Sequence, residues 1–184
     1  MHHIPNLISI IRAILVLPIA ILLIKEAWVE AFVLILIAGS SDALDGYLAK
    51  TYNWQSRLGS ILDPLADKLL IVIIFITLAN KGIIPLWLAI IVIGRDVIIL
   101  VGATLYQWLT KDLEIAPLFS SKVNTALQIL FVLGLMVHLA ITPLSDSLLK
   151  GGQYAVAALA IYSGVSYVVC WAGYYMNYLR NAKD

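Results

Sequence analysis

Charged side chains are scarce in this chain. They account for 12% of its 184 residues, whereas soluble domains carry roughly a quarter. With 62% hydrophobic residues and a mean hydropathy of +0.96, the composition excludes an ordinary soluble domain and predicts an integral membrane protein. The net charge of only +1 provides no basic surplus for binding a polyanion, so we expect no nucleic-acid partner.

Cysteine is also nearly absent, and a basic leader is missing. The single cysteine, Cys170, excludes an intramolecular disulfide. The first apolar stretch lacks a basic n-region and is followed by further apolar runs, so we expect no cleavable signal. The length of 184 residues favours a single membrane domain covering 1–184.

The chain does contain six apolar runs that are long enough to cross a bilayer as helices. They cover residues 7–24, 27–48, 61–79, 83–109, 123–141 and 153–178. Residues typical of turns separate them, namely Lys25-Glu26, Asn80-Lys81-Gly82, Pro117, Thr142-Pro143 and Gly151-Gly152. The pattern predicts an all-α integral membrane protein, built as a six-transmembrane-helix bundle within the lipid bilayer.

Lysine and arginine in the short loops predict the orientation. One set of loops and ends carries Lys50, Arg57, Lys111, Lys122, Arg180 and Lys183, and the other carries only Lys25, Lys81 and Lys150. The positive-inside rule then places both termini, and the loop between the second and third runs, in the cytoplasm. We expect a multi-pass protein of a bacterial inner membrane, or a matrix-side equivalent in an organelle.

Four aspartates interrupt the apolar sequence within 26 residues, in the pattern D-x2-D-G-x2-A-K-x8-G-x3-D-x3-D. Asp42 and Asp45 are three apart, and Asp63 and Asp67 are four apart, so each pair shares a helix face. Two helices joined by a short loop can bring both faces into one oxygen-rich pocket, which suits Mg²⁺, Mn²⁺ or Ca²⁺. Two such ions favour phosphoryl-type chemistry.

Two other interpretations of the aspartates stay open. They could be carboxylates solvated at helix ends, although charge in membrane segments is costly and is usually functional. They could also bind a transported cation, but transporter sites usually lie near the bilayer centre within paired repeats, and the sequence has no visible repeat. The small residues Gly46, Ala49 and Gly59 are interleaved among the aspartates, and they permit close approach of a ligand or a neighbouring helix.

The pattern resembles the signature of the CDP-alcohol phosphatidyltransferases, D-x2-D-G-x2-A-R-x8-9-G-x3-D-x3-D. All four aspartates, both glycines and the alanine match, and the six-helix layout is similar. Members of that family are membrane enzymes, often homodimers. They transfer a phosphatidyl group from CDP-diacylglycerol to an alcohol and release CMP, with Mg²⁺ or Mn²⁺. The resemblance implies the same fold, cofactors and partners for this chain.

The resemblance also assigns roles to individual positions. The four aspartates would hold a metal pair, and Asp67 would in addition be the general base that takes the proton from the acceptor hydroxyl. Contacts to CDP-diacylglycerol would come from Asn6, Gly46, Ala49, Lys50 and Gly59. Lys50 stands where the family has arginine, and lysine lacks arginine's forked donors. Lys50 can still contribute a positive charge beside a phosphate, but it cannot form the two-pronged hydrogen bond that arginine forms.

Polar residues in the fourth and fifth runs are candidates for binding the acceptor's phosphate. Arg95 and Asp96 lie in the middle of the fourth run, where neither charge is tolerable facing lipid. They could form a purely structural ion pair; we prefer Arg95 on the acceptor's phosphate, with Asp96 orienting it. Lys122 and Asn124, at the start of the fifth run, complete the predicted set. Lys122 could equally be an interface lysine.

The stretches around Arg95 and Lys122 look most like the CDP-diacylglycerol-dependent cardiolipin synthases, whose acceptor is phosphatidylglycerol. Phosphatidylglycerophosphate synthases tend to have a second lysine where this chain has Asn124. Glycerol 3-phosphate is a small, nearly dianionic acceptor that benefits from several cations, whereas phosphatidylglycerol carries one negative charge and needs fewer. The residues favour phosphatidylglycerol, with glycerol 3-phosphate as the alternative.

Overall fold

The chain is almost entirely helical in the computed structural model. The backbone is described for residues 4–52, 59–110 and 119–181, and the side chains for 14–41, 68–105 and 119–173. Six helices occur in these residues, and no strand. They are α1 (Ile4–Ile24), α2 (Trp28–Tyr52), α3 (Gly59–Asn80), α4 (Leu86–Thr110), α5 (Phe119–Ala140) and α6 (Asp146–Asn181).

Each predicted apolar run coincides with one of these helices, which confirms the all-α prediction. Three of them contain an apolar stretch long enough to cross a membrane, namely Leu86–Leu105, Phe119–Ala140 and Asp146–Gly173, with mean hydropathies of 2.3, 1.8 and 1.7. The described apolar stretches of the other three are shorter, at Ile14–Ile24, Trp28–Ser41 and Lys68–Asn80. The protein is therefore an integral membrane protein.

The predicted break at Gly151-Gly152 is wrong, because α6 already begins at Asp146 and continues through both glycines. Ser145 precedes this helix, and its backbone and side-chain oxygens accept hydrogen bonds from the Leu148 N–H, as expected of an N-cap residue. Gly152 serves close packing: a Cβ there would lie 2.9 Å from the ring of Phe131. The break predicted at Pro117 lies outside the described residues.

The described helices divide into two compact units. The first comprises Met1–Pro85 and Val132–Leu144, and the second comprises Leu86–Phe131 and Ser145–Asp184. In the first unit α1 packs against both α2 and α3, with Ile19, Leu23, Ile74 and Phe75 fully buried. The prediction of a single domain over 1–184 stays a prediction.

Two similar turns close one end of the first unit. Glu26, after α1, has a φ of 60°, and Gly82, after α3, has a φ of 72°. In both turns the following N–H reaches back across the last helical turn, as in a Schellman cap. The Lys81 ammonium lies 2.9 Å from the Glu26 carboxylate. This ion pair brings the end of α3 next to the start of α2.

In the second unit α4 and α6 pack in parallel along most of their length. The Trp87 ring stacks on Tyr154 with centroids 5.8 Å apart. Further along, Arg95 Nη2 donates a hydrogen bond to Ser163 Oγ at 2.8 Å. The third contact between the two helices is that of Gly102 with the ring of Trp171. Each step along α4 is matched by a similar step along α6, and close helix approach at a small residue is typical of membrane helices.

Gly102 provides a stability test of this packing. A Cβ at Gly102 would lie 1.7 Å from Trp171 Cζ3, whereas one at Gly94, on the same helix, would meet nothing within 4 Å. We expect Gly102→Ala to lower the free energy of unfolding by about 1–3 kcal/mol through overpacking. Gly94→Ala should raise it by up to about 1 kcal/mol, because alanine is the better helix former. Thermal unfolding of the two purified variants in one detergent compares them; equal midpoints would contradict the α4–α6 contact.

Candidate functional site

The backbone of all four aspartates is helical. Asp42 and Asp45 lie in the second half of α2, and Asp63 and Asp67 lie in the first turns of α3. The helical spacing on which the prediction of two carboxylate faces depends therefore holds for the backbone. Gly46, Ala49 and Lys50 follow on α2, and Gly59 is the first residue of α3. The side chains of all these residues, and of Asn6, lie outside the described part.

Distances along the helices place the aspartates at matching levels. The Lys81–Glu26 ion pair joins the end of α3 to the start of α2. At a rise of 1.5 Å per residue, Asp42 lies about 21 Å from the first residue of α2, and Asp67 lies about 20 Å from the last residue of α3. Asp45 and Asp63 both lie about 26 Å from the same ends. The aspartates of both helices thus lie at similar distances, along their own helices, from the ends that this ion pair joins.

This arrangement fits divalent cations. Carboxylate oxygens are hard ligands that suit Mg²⁺ and Mn²⁺, and acidic residues at similar distances along two helices joined at their other ends can converge on the same ions. Among the residues with described side chains, no group of three or more histidine, cysteine, aspartate or glutamate residues could hold a metal; the four aspartates are not among these residues. Their convergence stays a prediction.

Arg95 is the centre of a buried polar cluster in the second unit. Arg95 is 4% exposed and Asp96 is 9% exposed. Arg95 Nη1 lies 2.5 Å from Asp96 Oδ1, and Arg95 Nη2 donates hydrogen bonds to Ser121 Oγ at 2.6 Å and to Ser163 Oγ. Within the described residues Arg95 Nε has no hydrogen-bond partner. Arg95 and Asp96 thus form a buried ion pair, and the Arg95 Nε–H is a buried donor that can still bind a ligand.

The predicted acceptor residues on α5 have different environments. Asn124 is fully buried, and it lies one turn after Ser121, the hydroxyl that binds Arg95. Lys122 is exposed and lies on another side of the helix. The face of α5 that carries Asn124 is therefore the one that contacts the guanidinium of Arg95, whereas Lys122 lies outside the cluster. A phosphate contact by Lys122 stays a prediction.

Three residues in or beside this cluster were not anticipated from the sequence. Ser121 and Ser163 accept hydrogen bonds from Arg95, and Gln128 is buried at 2% exposure. Gln128 could have been found, because it is a polar residue four positions after Asn124 and therefore shares its helix face. No sequence pattern indicated Ser163, because it lies on α6, 68 residues away from Arg95. The two residues come together only in the folded protein.

Comparison with known proteins places this geometry in a family. The CDP-alcohol phosphatidyltransferase family matches residues 2–175. The chain belongs to this family. Its members are membrane-embedded transferases that use divalent metal ions. The match covers both the aspartate-bearing helices and the Arg95 cluster, and it confirms the resemblance identified from the sequence.

Several relatives within the family are named for particular acceptors. The chain is 37% identical over 182 residues to the cardiolipin synthase (CMP-forming) / mitochondrial hydrolase fusion protein of Schizosaccharomyces pombe, covering 90% of this chain and 30% of that protein. It is 35% identical over 145 residues to the human cardiolipin synthase (CMP-forming), covering 70% of this chain and 48% of the relative.

A relative with another acceptor in its name is the CDP-diacylglycerol–glycerol-3-phosphate 3-phosphatidyltransferase of Bacillus subtilis. It is 34% identical over 115 residues, covering 62% of this chain and 58% of the relative. This chain spans half or less of the length of the two cardiolipin synthases. Relatives of both acceptor types therefore occur.

Proposed function

We propose that this CDP-alcohol phosphatidyltransferase is a cardiolipin synthase, which transfers a phosphatidyl group from CDP-diacylglycerol to phosphatidylglycerol and releases CMP. The main support is the similarity to cardiolipin synthases over 90% and 70% of this chain, together with the complete set of four signature aspartates. Membership in a transferase family also favours this enzyme over a cation transporter.

The aspartates of α2 and α3 carry the chemistry in this proposal. Asp67 accepts the proton of the acceptor's free glycerol hydroxyl as that oxygen bonds to the β-phosphorus of CDP-diacylglycerol. The bond from this phosphorus to the bridging oxygen breaks, and CMP leaves with the bond's electrons. Asp42, Asp45, Asp63 and Asp67 would hold two Mg²⁺ or Mn²⁺ ions, which supply charge stabilisation for the phosphate and the leaving group.

Residues flanking the aspartates would bind the nucleotide substrate. Small residues at Gly46, Ala49 and Gly59 permit close approach of the cytidine diphosphate, and Asn6 and Lys50 would offer polar contacts to it. Arg95 would bind the acceptor's phosphodiester with Asn124 beside it, and Lys122, from another side of α5, would also contact this phosphate. The unpaired Arg95 Nε supports this, because a buried donor without a partner is costly unless a ligand meets it.

The proposal extends to the membrane arrangement. All six helices would span the bilayer as one domain, with both termini and the aspartates on the cytoplasmic side or its matrix equivalent. Both substrates are lipids, so the site would open sideways to the bilayer as well as to the aqueous phase. A homodimer is the expected assembly, as is common in this family.

The competing proposal is phosphatidylglycerophosphate synthesis, with glycerol 3-phosphate as acceptor. The Bacillus subtilis relative favours it, since its similarity to this chain is nearly as high where the two align. Against it stands Asn124, which provides no charge for a dianionic acceptor. The charge of Arg95, moreover, is already balanced by Asp96.

Offering both acceptors in parallel separates the two proposals. Purified protein with CDP-diacylglycerol and Mg²⁺ or Mn²⁺ would receive phosphatidylglycerol in one reaction and glycerol 3-phosphate in the other, and the lipid products would be identified by mass. We expect cardiolipin from the first reaction and no lipid product from the second. Product formed only from glycerol 3-phosphate would replace the proposal with its competitor.

A further inference from the structure

Two buried carboxamides on α5 lack hydrogen-bond partners within the described part of the chain. Asn124 is fully buried, and neither its Nδ2 nor its Oδ1 is paired; Gln128 is 2% exposed, and its Nε2 is unpaired. Leaving a buried polar group unpaired costs about 1–3 kcal/mol, and a membrane helix has little water to meet it. Two such residues, one turn apart, are expensive unless a ligand satisfies them.

The carboxamides lie on the helix face that contacts the Arg95 cluster. Ser121, Asn124 and Gln128 are separated by three and four residues on α5, so they share one face. Ser121 accepts a hydrogen bond from Arg95 Nη2 at 2.6 Å, so this face of α5 is directed towards Arg95. Together with Arg95 Nε, the face presents unpaired N–H groups of three side chains and one unpaired carbonyl oxygen.

The balance of charge and hydrogen-bonding groups indicates what kind of ligand fits. The guanidinium of Arg95 forms an ion pair with the carboxylate of Asp96. The two carboxamides are uncharged, so they contribute hydrogen-bonding groups and no charge. The N–H groups can bind phosphodiester or hydroxyl oxygens, but Asn124 Oδ1 needs a donor, which a phosphate group cannot offer. A hydroxyl group both donates and accepts, and so it can satisfy Asn124 Oδ1 and Gln128 Nε2 together.

We propose that Asn124 and Gln128 bind the secondary hydroxyl of the acceptor's free glycerol and thereby determine acceptor specificity. The inference depends on the proposed function, in which phosphatidylglycerol is the acceptor. Its primary hydroxyl is the nucleophile in that reaction, so the secondary hydroxyl is the group left for recognition. A site built to hydrogen-bond a hydroxyl rejects an analogue without it, because the buried polar groups of the site are then left unpaired.

The direct test compares phosphatidylglycerol with phosphatidyl-1,3-propanediol, which has the same phosphodiester and primary hydroxyl but lacks the secondary one. We expect the wild-type protein to prefer phosphatidylglycerol by about 100-fold in kcat/KM, corresponding to two lost hydrogen bonds. Gln128→Leu and Asn124→Leu should each reduce the preference to about tenfold or less, by lowering kcat/KM for phosphatidylglycerol. Thr125→Val is the matched control, because this hydroxyl already donates to the Ser121 carbonyl, and it should retain the full preference.

Thermal stability separates recognition from a structural role. Each leucine variant removes an unpaired amide, so its unfolding midpoint without substrate should equal or exceed that of the wild type. A lower midpoint together with an unchanged acceptor preference would assign the carboxamides to the fold and overturn the inference. An unchanged preference at any midpoint also overturns it. If the wild type makes no cardiolipin from phosphatidylglycerol at all, the proposed function fails, and the inference fails with it.

Discussion

Asp67→Asn is expected to lower the rate of CMP release from CDP-diacylglycerol by about 10²- to 10⁴-fold, the usual contribution of a general base. Asparagine keeps the shape of the side chain but cannot accept the hydroxyl proton. It also weakens the binding of any metal ion that Asp67 ligates. The measurement is the turnover of purified protein with phosphatidylglycerol and saturating Mg²⁺ or Mn²⁺. The loss should appear in kcat, because Asp67 acts on the reacting hydroxyl.

Asp146→Asn is the matched control for this experiment. Asp146 is an exposed aspartate in the first turn of α6, and the same substitution there should leave turnover unchanged. If both variants retain the wild-type rate, Asp67 is not the base. If both lose it equally, the loss reflects a general effect of removing charge.

Arg95→Met is expected to lower the free energy of unfolding by about 3–5 kcal/mol, the cost of breaking a buried ion pair. The substitution removes the guanidinium that contacts Asp96, Ser121 and Ser163, and so it takes one positively charged partner away from the buried Asp96 carboxylate. Unfolding of the purified protein in mixed detergent micelles measures the change. Acceptor binding by Arg95 is not needed for this result.

Two further variants give the prediction its controls. Adding Asp96→Asn to Arg95→Met should restore part of the stability, because the buried carboxylate that loses the guanidinium is then neutral. Lys81→Met removes the cation of the more exposed Glu26 pair, whose side chains are 28% and 59% exposed, and should cost no more than about 1 kcal/mol. Equal losses for Arg95→Met and Lys81→Met would contradict the burial of the Arg95 cluster.

The helices could be predicted from the sequence because apolar runs in a membrane protein are nearly continuous. Runs of about 20 residues separated by Lys25-Glu26 or Thr142-Pro143 leave little doubt about where each helix lies. The exception is the start of α6, predicted after Gly152. There the two glycines are typical of a break, whereas the capping serine before Asp146 marks the actual start of the helix. In a membrane helix, glycine often serves close packing instead.

The candidate site could be predicted only where its residues are close in sequence. The aspartate pattern is local, so its helical faces follow from spacing alone. The partners of Arg95 are not local, because Ser121 and Ser163 come from two other helices. An isolated serine in a membrane helix does not stand out, since its hydroxyl commonly bonds to its own helix backbone. The environment of Asn124 likewise depends on packing that no short motif encodes.

The origin of the acyl chains in the product tests the central claim most directly. Purified protein would receive CDP-diacylglycerol and phosphatidylglycerol that carry acyl chains of different mass, and both CMP and cardiolipin would be quantified. Phosphatidyl transfer predicts one CMP per cardiolipin, with two acyl chains from each substrate. Cardiolipin carrying all four acyl chains from phosphatidylglycerol, or formed without CMP, would contradict the claim.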